Sequence, residues 1–279
     1  MTYDAVKHLK PSEFKRLCGV RPETFEAMIS VLRQAESHKP PGRPSKLSLE
    51  NQLLMTLEYW REYRTYFHIG QSWGVNESTA YRIIKRTEDR LITSRAFTLP
   101  GKKKLVAADS QIKVVVVDVT ETPIERPKKK QKRFYSGKKR KHTFKAQVVA
   151  EVSTREILCT AHGKGKQHDF KLYKTSKIQL KAKTKLLGDK GYQGIQNLHS
   201  FSQTPKKKPR GGKLSADEKK KNRELARIRV VSEHIHRKLK VFKILSLTYR
   251  NRRKRFSLRF NLIAALYNYE LRLPKLGAA

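Results

Sequence analysis

The 279-residue sequence has only two cysteines, Cys18 and Cys159. That is too few for a disulfide framework or for a zinc site built on cysteine alone, so both read as buried thiols. Long apolar runs are missing too. The most apolar stretches, Val114 to Val117 and Leu262 to Leu266, fall far short of the roughly 18 residues that a bilayer span needs, so no membrane is expected. Asp4, Lys7 and His8 stand where a secretory signal would require an apolar core, which points to the cytoplasm. Acidic residues are scarce. Only 24 Asp+Glu face 64 Lys+Arg, a formal net charge of +40. Hydrophobic residues make up just 37% but gather into runs, so the chain is expected to fold beneath a basic coat.

A charge of that sign and size, spread over most of the length, suits the neutralisation of many phosphates with release of their counterions. Nucleic acid is the expected partner, with nucleoid association following from it. Charge alone does not separate a packaging protein from an enzyme; placed acids must do that.

Along the chain, residues 1–45 read as short helices followed by a linker. Ser12 is the expected cap of a helix from Glu13, and Pro22 sits at a first helical position ahead of Phe25, Met28, Ile29 and Leu32. The linker at 38–46 carries Gly42-Arg43-Pro44, whose Arg43 is suited to a narrow minor groove. Residues 46–100 show helix-turn-helix spacing. Leu49, Leu53, Leu54, Leu57 and Trp60 mark one helix, a second runs near Tyr66 to Trp73, Gly74 makes a turn, and Asn76 caps a third. Gly70 and Ala80 let the helices approach. The third helix would present Ser78, Thr79, Arg82 and Lys85 to the major groove.

From residue 101 the periodicity changes. The run 113–118 reads as a buried strand, 144–152 and 156–160 as a hairpin, and 184–188 as a further strand. A crossover helix is expected at 169–177, so part of the sheet should be parallel. A long helical pattern occupies 215–248 and a final helix 256–270. The basic loops 128–141 and 206–213, which include Lys138, Lys139 and Lys141, suit a groove that tracks phosphates.

Asp118 and Asp189 both fall at the ends of strand-like runs, where open sheets place their sites. Arg229, Glu233, His236 and Lys240 share one helix face beside an apolar stripe. Two such aspartates and the glutamate can hold two Mg²⁺ through hard oxygen ligands, with positions open to water and phosphate. Spacing alone does not choose them over Asp109, Glu121, Glu125 or Asp169.

The flanking residues resemble a family. Asp118-Val-Thr-Glu-Thr-Pro-Ile-Glu-Arg-Pro127, Phe134-Tyr-Ser-Gly-Lys-Lys-Arg-Lys-His-Thr143, Asp189-Lys-Gly-Tyr-Gln-Gly194 and Arg229-x3-Glu233-x6-Lys240 are similar, in order, to the motifs of DDE transposases of the insertion-sequence-five group, related to Harbinger-type nucleases. The resemblance covers about residues 20 to 270. It implies an α/β fold, an RNase H-like mixed sheet flanked by helices over 101–279, preceded by the all-α helix-turn-helix part. It also implies catalytic Asp118, Asp189 and Glu233 binding two Mg²⁺ or Mn²⁺, with Arg229 and Lys240 near the DNA backbone. The expected activity is cleavage and strand transfer at terminal inverted repeats, within a homodimer or larger synaptic assembly. Val119, where relatives often carry Gly, and Ala226, where they carry Tyr, depart from the pattern. A catalytically inactive or domesticated DNA-binding protein of the same fold is the alternative.

Overall fold

The computed structural model describes residues 2–37, 45–251 and 254–274. In chain order the helices are α1 (Tyr3–Val6), α2 (Pro11–Cys18), α3 (Pro22–Ser37), α4 (Leu49–Glu62), α5 (Tyr66–Ser72), α6 (Glu77–Thr93), α7 (Lys103–Val106), α8 (Asp169–Ser176), α9 (Ala216–Leu239) and α10 (Phe256–Arg272). The strands are β1 (Val114–Pro123), β2 (Tyr135–Ser136), β3 (Lys141–Glu151), β4 (Ile157–Lys164), β5 (Lys185–Leu187) and β6 (Ser202–Gln203). They divide into two compact units, one of residues up to 98 with 239–247 and from 258 onward, the other of 99–238 with 248–257. No described helix is long and apolar enough to cross a membrane.

The first unit is helical. Pro22 does open α3, but α2 starts at Pro11 rather than Glu13. The fixed φ of proline favours the first turn, and the Glu13 carboxylate accepts the Lys10 amide at 3.1 Å to close it. Asn76 caps α6 by accepting the Ser78 amide at 2.9 Å. Gly74 takes a φ of +61°, the left-handed turn that glycine allows without strain. At Gly70 a Cβ would lie 2.6 Å from the Val75 carbonyl oxygen, so only glycine lets α5 meet the turn that follows it.

This unit is closed by α10. Arg259, 1% exposed, and Glu88, fully buried, form an ion pair with Nε 2.7 Å from Oε1. The Trp60 indole also donates to that carboxylate, at 2.9 Å, and the guanidinium lies 5.3 Å from the centre of the Tyr59 ring. A buried carboxylate requires such partners, because its desolvation is otherwise uncompensated. Thus a residue near the C-terminus neutralises an acid on the helix expected to read DNA.

The second unit is built on a mixed sheet. β1 lies between β3, antiparallel, and β5, parallel; β6 follows β5 in parallel, and β2 and β4 both pair with β3. Val115, Val116 and Val117 are each at most 2% exposed, the continuous burial expected of a central strand. The side chains of Val115 and Val117 join Leu158, Leu186 and Tyr192 in one core cluster. Two boundaries differ from expectation. β1 does not end at Asp118 but runs to Pro123, because the β-branched Val119, Thr120 and Thr122 go on pairing with β3. α9 stops at Leu239 instead of reaching 248; the Phe242 amide turns back to the Leu239 carbonyl, and a 3₁₀ turn at Lys243–Leu245 buries Ile244 and Leu245. Cys18 and Cys159 are both buried free thiols, as expected.

Arg259→Met should destabilise the first unit by about 3–5 kcal/mol, since a charge is left buried without its cation. The double variant Glu88→Gln/Arg259→Met should lose clearly less than the two single changes added together. Both tryptophans, Trp60 and Trp73, lie in this unit, so urea unfolding followed by tryptophan fluorescence measures the effect directly.

Candidate active site and nucleic-acid face

Strand register brings the two aspartates together. In the parallel ladder Val116 lies opposite Leu187; Asp118 and Asp189 each stand two residues further on, so the same edge of neighbouring strands presents both. Asp118 is a mid-strand residue facing Val148 of β3. Its Oδ1 accepts the Val119 amide at 2.9 Å and its Oδ2 accepts the Ser232 hydroxyl of α9 at 3.1 Å. His236, one helical turn beyond Ser232, places Nε2 3.5 Å from the same oxygen. Burial pushes the Asp118 carboxyl up, but His236, the Val119 amide and the Arg229 charge outweigh it and hold the group below its ordinary value.

Asp189 is held differently. It leaves β5 as the cap of a 3₁₀ turn, its Oδ1 accepting the Gly191 amide at 2.8 Å. Burial raises its pKa, Asp118 and Asp169 raise it further, and the Gly191 amide and Arg229 offset only part of this. A Cβ at Gly191 would come within 2.9 Å of Asp189 Oδ1 and 3.3 Å of Asp169 Oδ2, so a side chain there would crowd both carboxylates. Asp169, in the first turn of α8, is paired with the buried Lys145 at 2.6 Å, and Lys145 also lies 3.8 Å from Glu121.

Glu233 follows Ser232 on α9 but is exposed. Among the described residues no three His, Cys, Asp or Glu side chains converge at metal-ligand distance. The structure therefore joins Asp118 to Asp189, brings Arg229 close enough to act on both, and leaves Glu233 one residue away from the contact with Asp118. Sequence reasoning assigned no role to Ser232 and placed His236 only on a shared face. Their i, i+4 spacing was readable, but nothing in the sequence says which strand residue that face meets.

Asp118, whose charge raises the pKa of Asp189, and the buried ring nitrogens of His236 that have no hydrogen-bond partner are donors of the kind that a hard or borderline divalent cation takes.

In the first unit, α6 exposes Ser78, Arg82 and Lys85 and half-buries Thr79. The Ser78 hydroxyl is itself bound to Asn76, at 2.9 Å. A groove of about 800 Å³ along this helix is lined by Tyr81, Arg82, Lys85, Arg86 and Arg90 together with Gln34 of α3. In the second unit Lys138 and Lys139 are exposed on the turn between β2 and β3, and Lys141 at the start of β3. Lys240, just past α9, is half-buried. Arg43 lies outside the described residues.

With this geometry in view, similarity to known proteins settles the class. Residues 117–268, over half the chain, match the DDE superfamily endonuclease family, and residues 45–97 match the helix-turn-helix of DDE superfamily endonucleases. The chain belongs to the DDE superfamily of endonucleases and is a DDE-type transposase with a helix-turn-helix domain. It is 53% identical over 274 residues, 98% of this chain and 99% of the relative, to the "Probable transposase for insertion sequence element IS702" of Microchaete diplosiphon. It is 27% identical over 240 residues, 85% of this chain and 86% of the relative, to the "Putative transposase for insertion sequence element IS112" of Streptomyces albus G. No solved structure matches it.

The two aspartates should respond oppositely to neutralisation. An acid with a lowered native pKa adds stability above its ordinary pKa and loses it as pH falls through the native one. An acid with a raised native pKa favours the native state only while protonated, and its carboxylate costs stability as pH rises past the ordinary value. In EDTA at neutral pH, Asp118→Asn should therefore lower the melting temperature and Asp189→Asn should raise it. A shift of about 2–4 °C would correspond to roughly 1 kcal/mol for a chain of this size.

Proposed function

We propose that this transposase binds the terminal inverted repeats of its own element, hydrolyses a phosphodiester at each end and joins the freed 3′-hydroxyl to target DNA. The observation that carries this reading is the approach of Asp118 and Asp189, each two residues beyond the last pair of the β1–β5 ladder and close enough to influence each other's charge, beside the Arg229 charge and the α9 turn that carries Glu233. In the first step a water oxygen bonds to phosphorus as the bond to the 3′-oxygen breaks, and that oxygen takes up a proton. In the second step the 3′-hydroxyl loses its proton as its oxygen bonds to a target phosphorus and displaces the target's own 3′-oxygen.

Asp118, Asp189 and Glu233 would hold two Mg²⁺ or Mn²⁺ ions. When bound, these ions supply Lewis-acid stabilisation of the charge that develops on phosphate. The Val119 amide and the Ser232 hydroxyl fix the direction of the Asp118 carboxylate. Arg229 balances charge at the carboxylate pair, and Arg229 and Lys240 steady the backbone of the cleaved strand. Arg82 and Lys85 of α6, with Ser78 and Thr79, read the repeat, and Arg43 supports them from the linker. Lys138, Lys139 and Lys141 track phosphates, which a surplus of 40 positive charges favours throughout. Since two ends are joined in one event, a homodimer or larger synaptic assembly follows.

Asp118→Asn, Asp189→Asn and Glu233→Gln should each cut Mg²⁺-dependent cleavage of a terminal-repeat duplex by roughly a hundredfold or more, because the amide cannot hold the cation against the developing charge. Duplex binding at matched salt should survive in all three. The exposed Glu125 serves as the control, and Glu125→Gln should cleave like the unmodified protein. Charge reversal at Arg82 should weaken the preference for the repeat over scrambled duplex in gel-shift titrations. Near-normal cleavage by the three acid variants would instead favour a DNA-binding protein that no longer moves DNA.

A further inference from the structure

Resting on the metal-dependent reading above, we propose that His236 is a nitrogen ligand to the cation held by Asp118, so that the site binds Mn²⁺ in preference to Mg²⁺.

Neither ring nitrogen of His236 has a hydrogen-bond partner, although both are buried. A histidine that serves only packing ordinarily satisfies at least one nitrogen, since a buried polar atom left alone costs about 1–3 kcal/mol. Here Nε2 faces Asp118 Oδ2 at 3.5 Å, without the alignment of a hydrogen bond. That separation has a direct chemical meaning. Two donors each about 2.1 Å from one ion stand roughly 3.0–3.4 Å apart at octahedral or tetrahedral angles. The pair is thus spaced to share a cation with little rearrangement.

The surrounding contacts keep the pair in place. The Ser232 hydroxyl, one turn before His236, lies 3.1 Å from Asp118 Oδ2 and 2.8 Å from the Arg229 carbonyl oxygen, and its one proton, shared between them, ties this stretch of α9 to the strand through Asp118. Ile235, 1% exposed, buries the adjoining face of the helix. The neighbouring His234 is exposed and makes an internal control. Ligand chemistry then predicts the preference: carboxylates and water serve Mg²⁺ and Mn²⁺ alike, but Mg²⁺ demands a near-ideal octahedral oxygen shell and keeps its waters, whereas a softer first-row ion accepts an imidazole nitrogen beside the carboxylates. Asp118, Asp189 and Glu233 alone would give only oxygen donors.

The test is pulsed electron paramagnetic resonance of Mn²⁺ bound to the full-length protein, with binding titrated in parallel. The unmodified protein should show nitrogen modulation of the Mn²⁺ echo, and labelling its histidines with ¹⁵N should change the modulation pattern. His236→Ala and His236→Gln should remove the modulation and weaken Mn²⁺ binding by about tenfold or more, while His234→Ala should alter neither. The ¹⁵N measurement needs no variant, so misfolding of a variant would not hide the answer. Mn²⁺ that binds in an Asp118-dependent way but shows no nitrogen modulation would overturn the role of His236 alone. Mn²⁺ binding unaffected by Asp118→Asn, or no binding at all, would overturn the metal-site reading and this inference with it.

Discussion

The arrangement around Asp118 depends on how one carboxylate can be kept ionised in the middle of a strand. Desolvation opposes the charge. The solution is local: the next amide of β1 binds one oxygen, and α9 gives the other a hydrogen bond from Ser232 and the nearby imidazole of His236 at 3.5 Å. The Ser232 bond attaches the long helix to the sheet at the same point where the parallel ladder between β1 and β5 brings in Asp189. Helix attachment, carboxylate orientation and the approach of the second acid are thus one arrangement. Ser232 and His236 contribute to stability and to the site through the same contacts.

Charge is handled in two ways. Most of the cationic surplus is exposed, as at Arg82, Lys85, Lys138 and Lys139, where solvent screens repulsion until phosphate arrives. A small part is buried and paired. Arg259 with Glu88 and Lys145 with Asp169 are two pairs, among the described residues, in which a cation has been taken out of water to meet an acid. Lys145 keeps Asp169 engaged beside Asp189, and Arg259 ties the last helix to the helix-turn-helix. The second link has a consequence for dissection of the protein. A fragment ending near residue 100 would lack the cation that neutralises Glu88, so the helix-turn-helix part should be less stable without α10.

Much of this was legible in the sequence. Helical spacing, Gly70, Gly74 and Asn76 located α4, α5 and α6 because each residue meets a local requirement: a close approach, a left-handed turn, a cap. The buried valines of β1 and the crossover helix α8 were equally local. What escaped is non-local. The length of β1 depended on continued pairing with β3, which carries the strand five residues past Asp118. The Glu88 to Arg259 pair joins residues 171 positions apart, and no periodicity connects them. The α9 face was assigned Arg229, Glu233, His236 and Lys240 as a group. Rotation of the helix about its axis is set by packing, and it turns Ser232 and His236 to Asp118 while Glu233 stays exposed. The family motifs singled out three acids where composition could not, since several other carboxylates share their sequence setting.

The most direct test of the account is anomalous diffraction from crystals of the protein bound to terminal-repeat DNA and soaked in Mn²⁺. A manganese peak within about 2.2 Å of a carboxylate oxygen of both Asp118 and Asp189, with the scissile phosphate in contact, is the expected result. Manganese absent from these two carboxylates while the scissile phosphate lies against them would contradict it.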